Sequence, residues 1–185
     1  MIAVLVLVGL SALPRQSETP NAPGFSGTWE RDPDRSDDAQ EKMRAAFERM
    51  QEEMERRRGG PPPGGPPPDG SGRREGPGGG PGQVPEELDV EHDGGELRLD
   101  DGQRLQIFYL DGQKHRRAMP NGAKLETVAT LQGRVVLIEE KLERGKIERK
   151  LELSEDGESM VMTLNIKIGN MKEPVLIRTV YQRLE

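Results

Sequence analysis

Ser159-Met160-Val161-Met162-Thr163-Leu164-Asn165-Ile166-Lys167-Ile168 alternates with a period of two. In an extended chain Met160, Met162, Leu164, Ile166 and Ile168 share one side, and Val161, Thr163, Asn165 and Lys167 share the other. One apolar face and one wet face mark an antiparallel strand packed on one side only. The same alternation recurs upstream in Leu105, Ile107 and Tyr109, then in Leu125, Thr127, Ala129 and Leu131. Val136, Ile138 and Leu142 point one way beside Glu140, and Ile147, Leu151 and Leu153 alternate with Glu148, Lys150 and Glu152. Turn chemistry separates the runs: Asp93-Gly94-Gly95, Asp101-Gly102, Asp111-Gly112, Asn121-Gly122, Gln132-Gly133, Arg144-Gly145, Asp156-Gly157 and Gly169-Asn170. Glycine beside Asn or Asp tolerates the positive φ of tight hairpins, so each pair predicts a reversal. The expected fold is all-β, an antiparallel up-and-down meander of about nine or ten strands. A meander of that length closes into a barrel because closure removes exposed edges.

Residues 86–185 contain 28 Leu, Ile, Val and Phe, above the roughly 20% level below which disorder is expected. Residues 59–85 contain 11 Gly and 9 Pro. Such a stretch buries almost nothing and cannot offset its ordering entropy, so it reads as a disordered or polyproline-like linker. Before it, residues 37–58 read as an inserted helix. Asp37 or Ser36 is placed to cap it, acids crowd its first turn, and Arg56, Arg57 and Arg58 fill its last, matching the macrodipole. Met43, Phe47, Met50 and Met54 recur at helical spacing and form a narrow apolar stripe. That stripe either docks on the sheet or binds a partner, for which soft methionines are suited. Seven acids against six bases in this helix argue against a membrane surface, which favours a basic polar face.

At the start of the chain, residues 2–13 carry no charge. That run is too short to span a bilayer, which needs about 20 residues in helix, and its length fits the core of a secretory signal. Residues 1–22 are therefore expected to be a leader, and the protein periplasmic or extracellular. With no cysteine in the chain, a lipoprotein anchor, disulfides and thiolate metal sites are excluded.

The only tryptophan sits in Phe25-Ser26-Gly27-Thr28-Trp29-Glu30, within residues 23–36, the expected first strand of the barrel. Phe-x-Gly-x-Trp opening a small all-β chain resembles the first strand of the calycin superfamily, which includes lipocalins and fatty-acid-binding proteins. More closely, the chain is similar to a family of small uncharacterised exported bacterial proteins with lipocalin-like domains. The likeness continues through Asp32-Pro33-Asp34-Arg35-Ser36-Asp37, Leu110-Asp111-Gly112 and Leu153-Ser154-Glu155-Asp156-Gly157. It covers residues 25–37 and 86–185. It implies a barrel whose Trp29 packs at the closed end beneath an arginine, with Arg178 and Arg183 as candidates, and whose interior holds a small ligand. Fatty-acid binders place an Arg and a Tyr two apart on the last strand. Here Arg178 and Tyr181 are three apart and face opposite sides, whereas Tyr181 and Arg183 share one.

Catalytic chemistry is thin. The chain has 27 Lys and Arg against 33 Asp and Glu, for a net charge of −6, so it lacks the basic balance of a nucleic-acid binder. Only His92 and His115 supply imidazole, too few for a histidine-rich metal centre. Glu91-His92-Asp93 and Lys114-His115-Arg116-Arg117 read as solvated surface. Glu139 and Glu140 are adjacent on a strand and point to opposite faces, so they cannot share a proton. No cofactor, metal or enzymatic activity is expected. The expected function is a binding module for a small apolar or amphipathic ligand. Its lumen is assigned to Leu105, Ile107, Tyr109, Leu125, Val136, Ile138, Leu151, Met160, Met162 and Leu164. Six aromatic residues in the chain favour an aliphatic ligand over a flat one. The competing expectation is a non-catalytic envelope scaffold that recruits a protein partner through the inserted helix, with no stable membrane span.

Overall fold

The computed structural model describes residues 24–58, 83–118 and 122–184. The leader reading of residues 1–22 and most of the Gly/Pro stretch lie outside them. Ten antiparallel strands form one sheet: β1 (Gly27–Asp32), β2 (Glu87–Asp93), β3 (Glu96–Asp100), β4 (Leu105–Tyr109), β5 (His115–Ala118), β6 (Lys124–Gln132), β7 (Val135–Leu142), β8 (Gly145–Leu153), β9 (Ser159–Ile168) and β10 (Val175–Arg183). Among the described residues one helix, α1 (Ala39–Arg58), stands between β1 and β2. The strand order is β4-β3-β2-β1-β10-β9-β8-β7-β6-β5. First and last strands therefore pair, with Trp29 opposite Arg183 and Arg31 opposite Tyr181. The sheet curls into a nearly closed barrel whose single unlaced seam lies between β4 and β5. One bridge crosses near that seam, Asp111 with Thr130 of β6, and the Gly112 N–H donates to the Ala129 carbonyl at 2.9 Å.

The eight turn pairs named above fall between consecutive strands from β2 to β10. Gly145 does more than turn: its φ is +154°, and an added Cβ would meet the Lys167 carbonyl oxygen and stand 2.7 Å from Ile168 Cα. Those are backbone atoms of β9 and cannot rotate away. Gly145→Ala should therefore cost about 1 to 3 kcal/mol, read as a lower urea midpoint at unchanged slope; an unchanged midpoint would refute the close approach.

The motif after β1 works as a stitch. Beyond Asp32 the chain leaves the sheet, and polar side chains complete the β10 ladder in place of a strand. The Val180 N–H donates to Ser36 Oγ at 2.9 Å, the Arg178 N–H donates to Asp37 Oδ2 at 2.7 Å, and the Asp37 N–H donates to the Arg178 carbonyl at 2.8 Å. Ser36 and Asp37 are thus committed to β10, and the helix cap falls instead to Asp38, whose Oδ1 accepts the Glu41 N–H at 2.9 Å. Burial raises the Asp37 pKa, but the Lys42 ammonium at 2.6 Å and the Arg178 N–H outweigh it and hold the carboxyl below its ordinary 3.8. A depressed folded-state value means stability that is complete above about pH 4 and lost as pH falls through the lowered value. Asp37→Asn should flatten the acid limb of a stability–pH curve in that window; an unchanged limb would rule the stitch out.

Helix α1 packs its Ala39, Met43, Ala46 and Met50 side against the core. The buried line runs through two alanines, whose size lets the helix approach the barrel closely. Of the expected stripe, Met43 is buried and Met50 partly so, but Phe47 and Met54 are each 38% exposed. The buried line Ala39, Met43, Ala46 and Met50 is turned by about 40° from the expected stripe. Lys172, in the β9–β10 turn, meets Glu53 at 2.5 Å and ties the helix to that end of the barrel. Among the described residues no helix is long and apolar enough to cross a membrane.

Candidate functional site

The barrel interior is apolar with a charged patch set into it. Leu125, Val136, Ile138, Leu151, Met160, Met162 and Leu164, all assigned to the lumen from sequence, are buried there. Leu105, Ile107 and Tyr109 are not: they face outward, 51%, 39% and 46% exposed, while Gln106 and Phe108 between them are buried. The strand Leu105-Gln106-Ile107-Phe108-Tyr109 carries apolar residues on both faces, and register decides which goes in. Gln106 lies opposite Leu99 and Phe108 opposite Leu97, and both leucines are buried.

One end of the barrel is closed by Trp29, which is fully buried. Its indole N–H donates to the Phe25 carbonyl at 3.0 Å, and the Arg183 guanidinium sits 4.3 Å from its ring centroid. Arg183 also donates to the carbonyls of Gly24, Ser26 and Gly157. Arg178 takes no part. It is on the outer face, where its guanidinium donates to the Arg35 carbonyl at 2.9 Å.

The charged patch was not singled out from sequence. Arg149 on β8 lies between Leu164 and Ile138 in the ladder, so its side chain points inward, 13% exposed. It reaches across the lumen to β4, where its Nη1 donates to Gln106 Oε1 at 3.3 Å and its guanidinium lies 5.5 Å from the Phe108 ring centroid. Its charge partner is Glu140 of β7, Nη2 to Oε2 3.7 Å, a carboxylate only 8% exposed. Arg117 of β5 approaches the other Glu140 oxygen at 3.9 Å. Two guanidinium groups thus share one carboxylate, leaving the cluster with net positive charge.

Burial pushes the Arg149 pKa down and Glu140 pulls it up, with a net fall, although a guanidinium remains protonated throughout the physiological range. Its Nε has no hydrogen-bond partner, and neither does Thr179 Oγ1 on the inner face of β10. Tyr181, two residues on and fully buried, donates its hydroxyl to the Pro85 carbonyl at 3.1 Å; burial raises its pKa, so it stays a donor. Thr179 therefore stands two before Tyr181 on the same inner face, and an inward cation, Arg149, lies on β8. The signal that would have found Arg149 is the run Ile147-Glu148-Arg149-Lys150-Leu151, whose period puts it on the apolar side.

The two histidines are elsewhere. His92 is partly buried near the Trp29 end, its ring edge-on to Phe25 at 6.1 Å and its Nε2 without a partner, so the fully solvated reading does not hold for it. His115 meets both Asp111 oxygens at 3.0 Å and lies against Tyr109, 4.7 Å between ring centroids. Glu139 and Glu140 do point to opposite faces. Among the described residues no group of three or more His, Cys, Asp or Glu is placed to hold a metal ion.

No protein-family model and no curated protein matches the chain. Solved structures do resemble it. A secretary abundant heat soluble (SAHS) protein from Ramazzottius varieornatus is 12% identical, covering 86% of this chain and 95% of that one with a TM-score of 0.51. The REP1-NXSQ fatty acid transporter is 14% identical over 87% of this chain and 96% of that one, with a TM-score of 0.49. Fatty-acid-binding protein 1 of Echinococcus granulosus is 18% identical over 87% and 98%, with a TM-score of 0.46. Identities this low speak to fold alone: among the described residues, a nearly closed ten-stranded antiparallel β-barrel with one helix between its first two strands.

Proposed function

We propose that the protein is a non-catalytic carrier whose barrel takes up a small amphipathic molecule, aliphatic in its tail and anionic in its head. The observation that supports this reading is Arg149, a buried guanidinium aimed across the lumen with an unpartnered Nε and a carboxylate shared with Arg117. A barrel filled only for stability gains nothing from such a group, because burying an ion pair costs about as much as its attraction returns. The cluster's surplus positive charge comes from the half-exposed Arg117, and an anion arriving with its own lone pairs can take Arg149 while Glu140 keeps Arg117. The surrounding walls are Leu, Ile and Met, which suit an aliphatic chain. The exported setting belongs to this proposal and rests on the composition of residues 2–13.

Isothermal titration of the full chain with dodecanoate, dodecanol and dodecyltrimethylammonium tests it. Dodecanoate should bind at least tenfold more tightly than either of the others. Arg149→Met should remove that preference while dodecanol binding persists. Equal affinity for all three, or no binding by any of them, would overturn the reading.

A further inference from the structure

The outward side of β4 is the least explained surface of the barrel. Leu105, Ile107 and Tyr109 stand in a row on its outer face, between 39% and 51% exposed, on a strand that ends the ladder beside the unlaced seam. Single exposed apolar residues are ordinary, but three consecutive outward positions on an end strand form an aggregation hazard unless something covers them. What covers them is indicated by the strands alongside. On the outer face of β1 to β3, acids stand directly opposite acids: Glu30 opposite Glu87, Asp89 opposite Asp100, and Asp93 opposite Glu96. Like charges in directly opposed positions destabilise a sheet. Arg98 pairs with Glu91 and Glu96, the Thr28 hydroxyl donates to Asp89 at 2.6 Å, and the Gly102 N–H donates to Asp100 at 2.9 Å. Among the described residues Glu30, Glu87 and Asp93 have no ion-pair partner. Elsewhere the barrel resolves the same conflict within itself: Glu139 opposes Glu148, and Lys146 binds both, at 2.6 and 2.7 Å.

We propose that the outer face of β4, with the acidic wall beside it, is the docking surface for a cationic amphipathic stretch of another polypeptide, laid across β4 toward β2 with its apolar and basic side chains on one side. Its apolar side chains cover Leu105, Ile107 and Tyr109, and its Lys or Arg side chains relieve the opposed carboxylates. An anionic membrane is repelled by the same wall. Residues 59–85 are not the occupant, because Asp69, Arg73, Arg74 and Glu75 sum to no net charge and the stretch has one large apolar side chain, Val84. A second copy is disfavoured because each chain carries −6, although Lys141 and Lys167 on its outer wall offer some complementarity. The buried area is small, so the contact belongs with transient interfaces.

Fluorescence anisotropy with a labelled ten-residue Lys/Val peptide, carrying Val at its positions 1, 3 and 5, Lys at 7 and 9 and Ser between them so that all five share one face, tests the proposal on the full chain. The peptide should bind, and the versions with Glu in place of Lys, or with Ser in place of Val (the Lys/Ser peptide), should bind at least tenfold more weakly. The double variant Ile107→Ser, Tyr109→Ser and the double variant Glu87→Gln, Asp93→Asn should each lose at least tenfold in affinity. Leu137→Ser, on the outer face of β7, should lose nothing. The circular dichroism of each variant should match that of the parent. The proposal is overturned if the Lys/Val peptide fails to bind, if the Lys/Ser peptide binds equally well, if Leu137→Ser weakens binding as much, or if sedimentation shows that the β4 face joins copies of this chain instead.

Discussion

Trp29→Ala should remove about 3 to 5 kcal/mol of stability, a large part of the 5 to 15 kcal/mol typical of a domain. The indole is fully buried, so truncation leaves a cavity at the end of the barrel where β1 joins β10. The loss extends beyond volume. The Phe25 carbonyl loses its donor, and the Arg183 guanidinium loses the ring it covers at 4.3 Å. Arg183 is also what fastens the segment before β1 to the turn before β9, through the carbonyls of Gly24, Ser26 and Gly157. Trp29→Phe keeps most of the apolar volume and should cost distinctly less. Because Trp29 is the only tryptophan, unfolding of both variants must be followed by far-ultraviolet circular dichroism in urea. A loss below about 1 kcal/mol for Trp29→Ala would mean that the indole contributes little to closure, contrary to the cavity cost expected of a fully buried ring.

How much of this was legible without coordinates varies with the strength of the period-two signal. In β9 Met160, Met162, Leu164, Ile166 and Ile168 lie on one face, with Val161 the one apolar residue on the other, and the turn pairs around the run place both neighbouring strands. Trp29 is legible from its motif, whereas Arg178 and Arg183 are equal candidates for the cation above it until the structure puts Arg183 on the indole and Arg178 on the outer face. The β4 run is ambiguous because three apolar residues, Leu105, Ile107 and Tyr109, stand on one face against Gln106 and Phe108 on the other; pairing with Leu97 and Leu99 turns Phe108 inward. The stitch from Ser36 and Asp37 to β10 spans more than 140 residues of sequence and has no local signature, so those residues read as helix caps. Arg149 and Glu140 were hidden for a different reason. A charged residue inside an alternating run is normally assigned to water, yet Glu140 lies between Ile138 and Leu142 in phase, and Arg149 between Ile147 and Leu151. That they meet is a diagonal relation between β7 and β8, since Ile138 is directly opposite Arg149 and Glu140 opposite Ile147. Only the ladder register shows it.

Glu140→Gln should act on stability and on ligand affinity with opposite signs. Removing one member of a buried ion pair leaves the other uncompensated and typically costs about 3 to 5 kcal/mol. Here two cations, Arg149 and Arg117, are left facing each other across a neutral amide. Arg117 is half exposed and turns to solvent at little cost, so most of the loss is carried by Arg149, which cannot leave. The same uncompensated charge attracts an incoming anion more strongly, so dodecanoate should bind at least tenfold more tightly to Glu140→Gln than to the parent, and should restore much of the lost melting temperature when in excess. Arg149→Met leaves Glu140 with Arg117 and removes the group that was costly to bury, so the fold should persist with little change in stability. Combining the two substitutions should recover most of the stability lost in Glu140→Gln alone, giving a coupling energy in a double-mutant cycle that two independent sites would not show. If Glu140→Gln melts like the parent, or binds dodecanoate no better, then solvent already screens the cluster and the interior charge is not what selects a ligand.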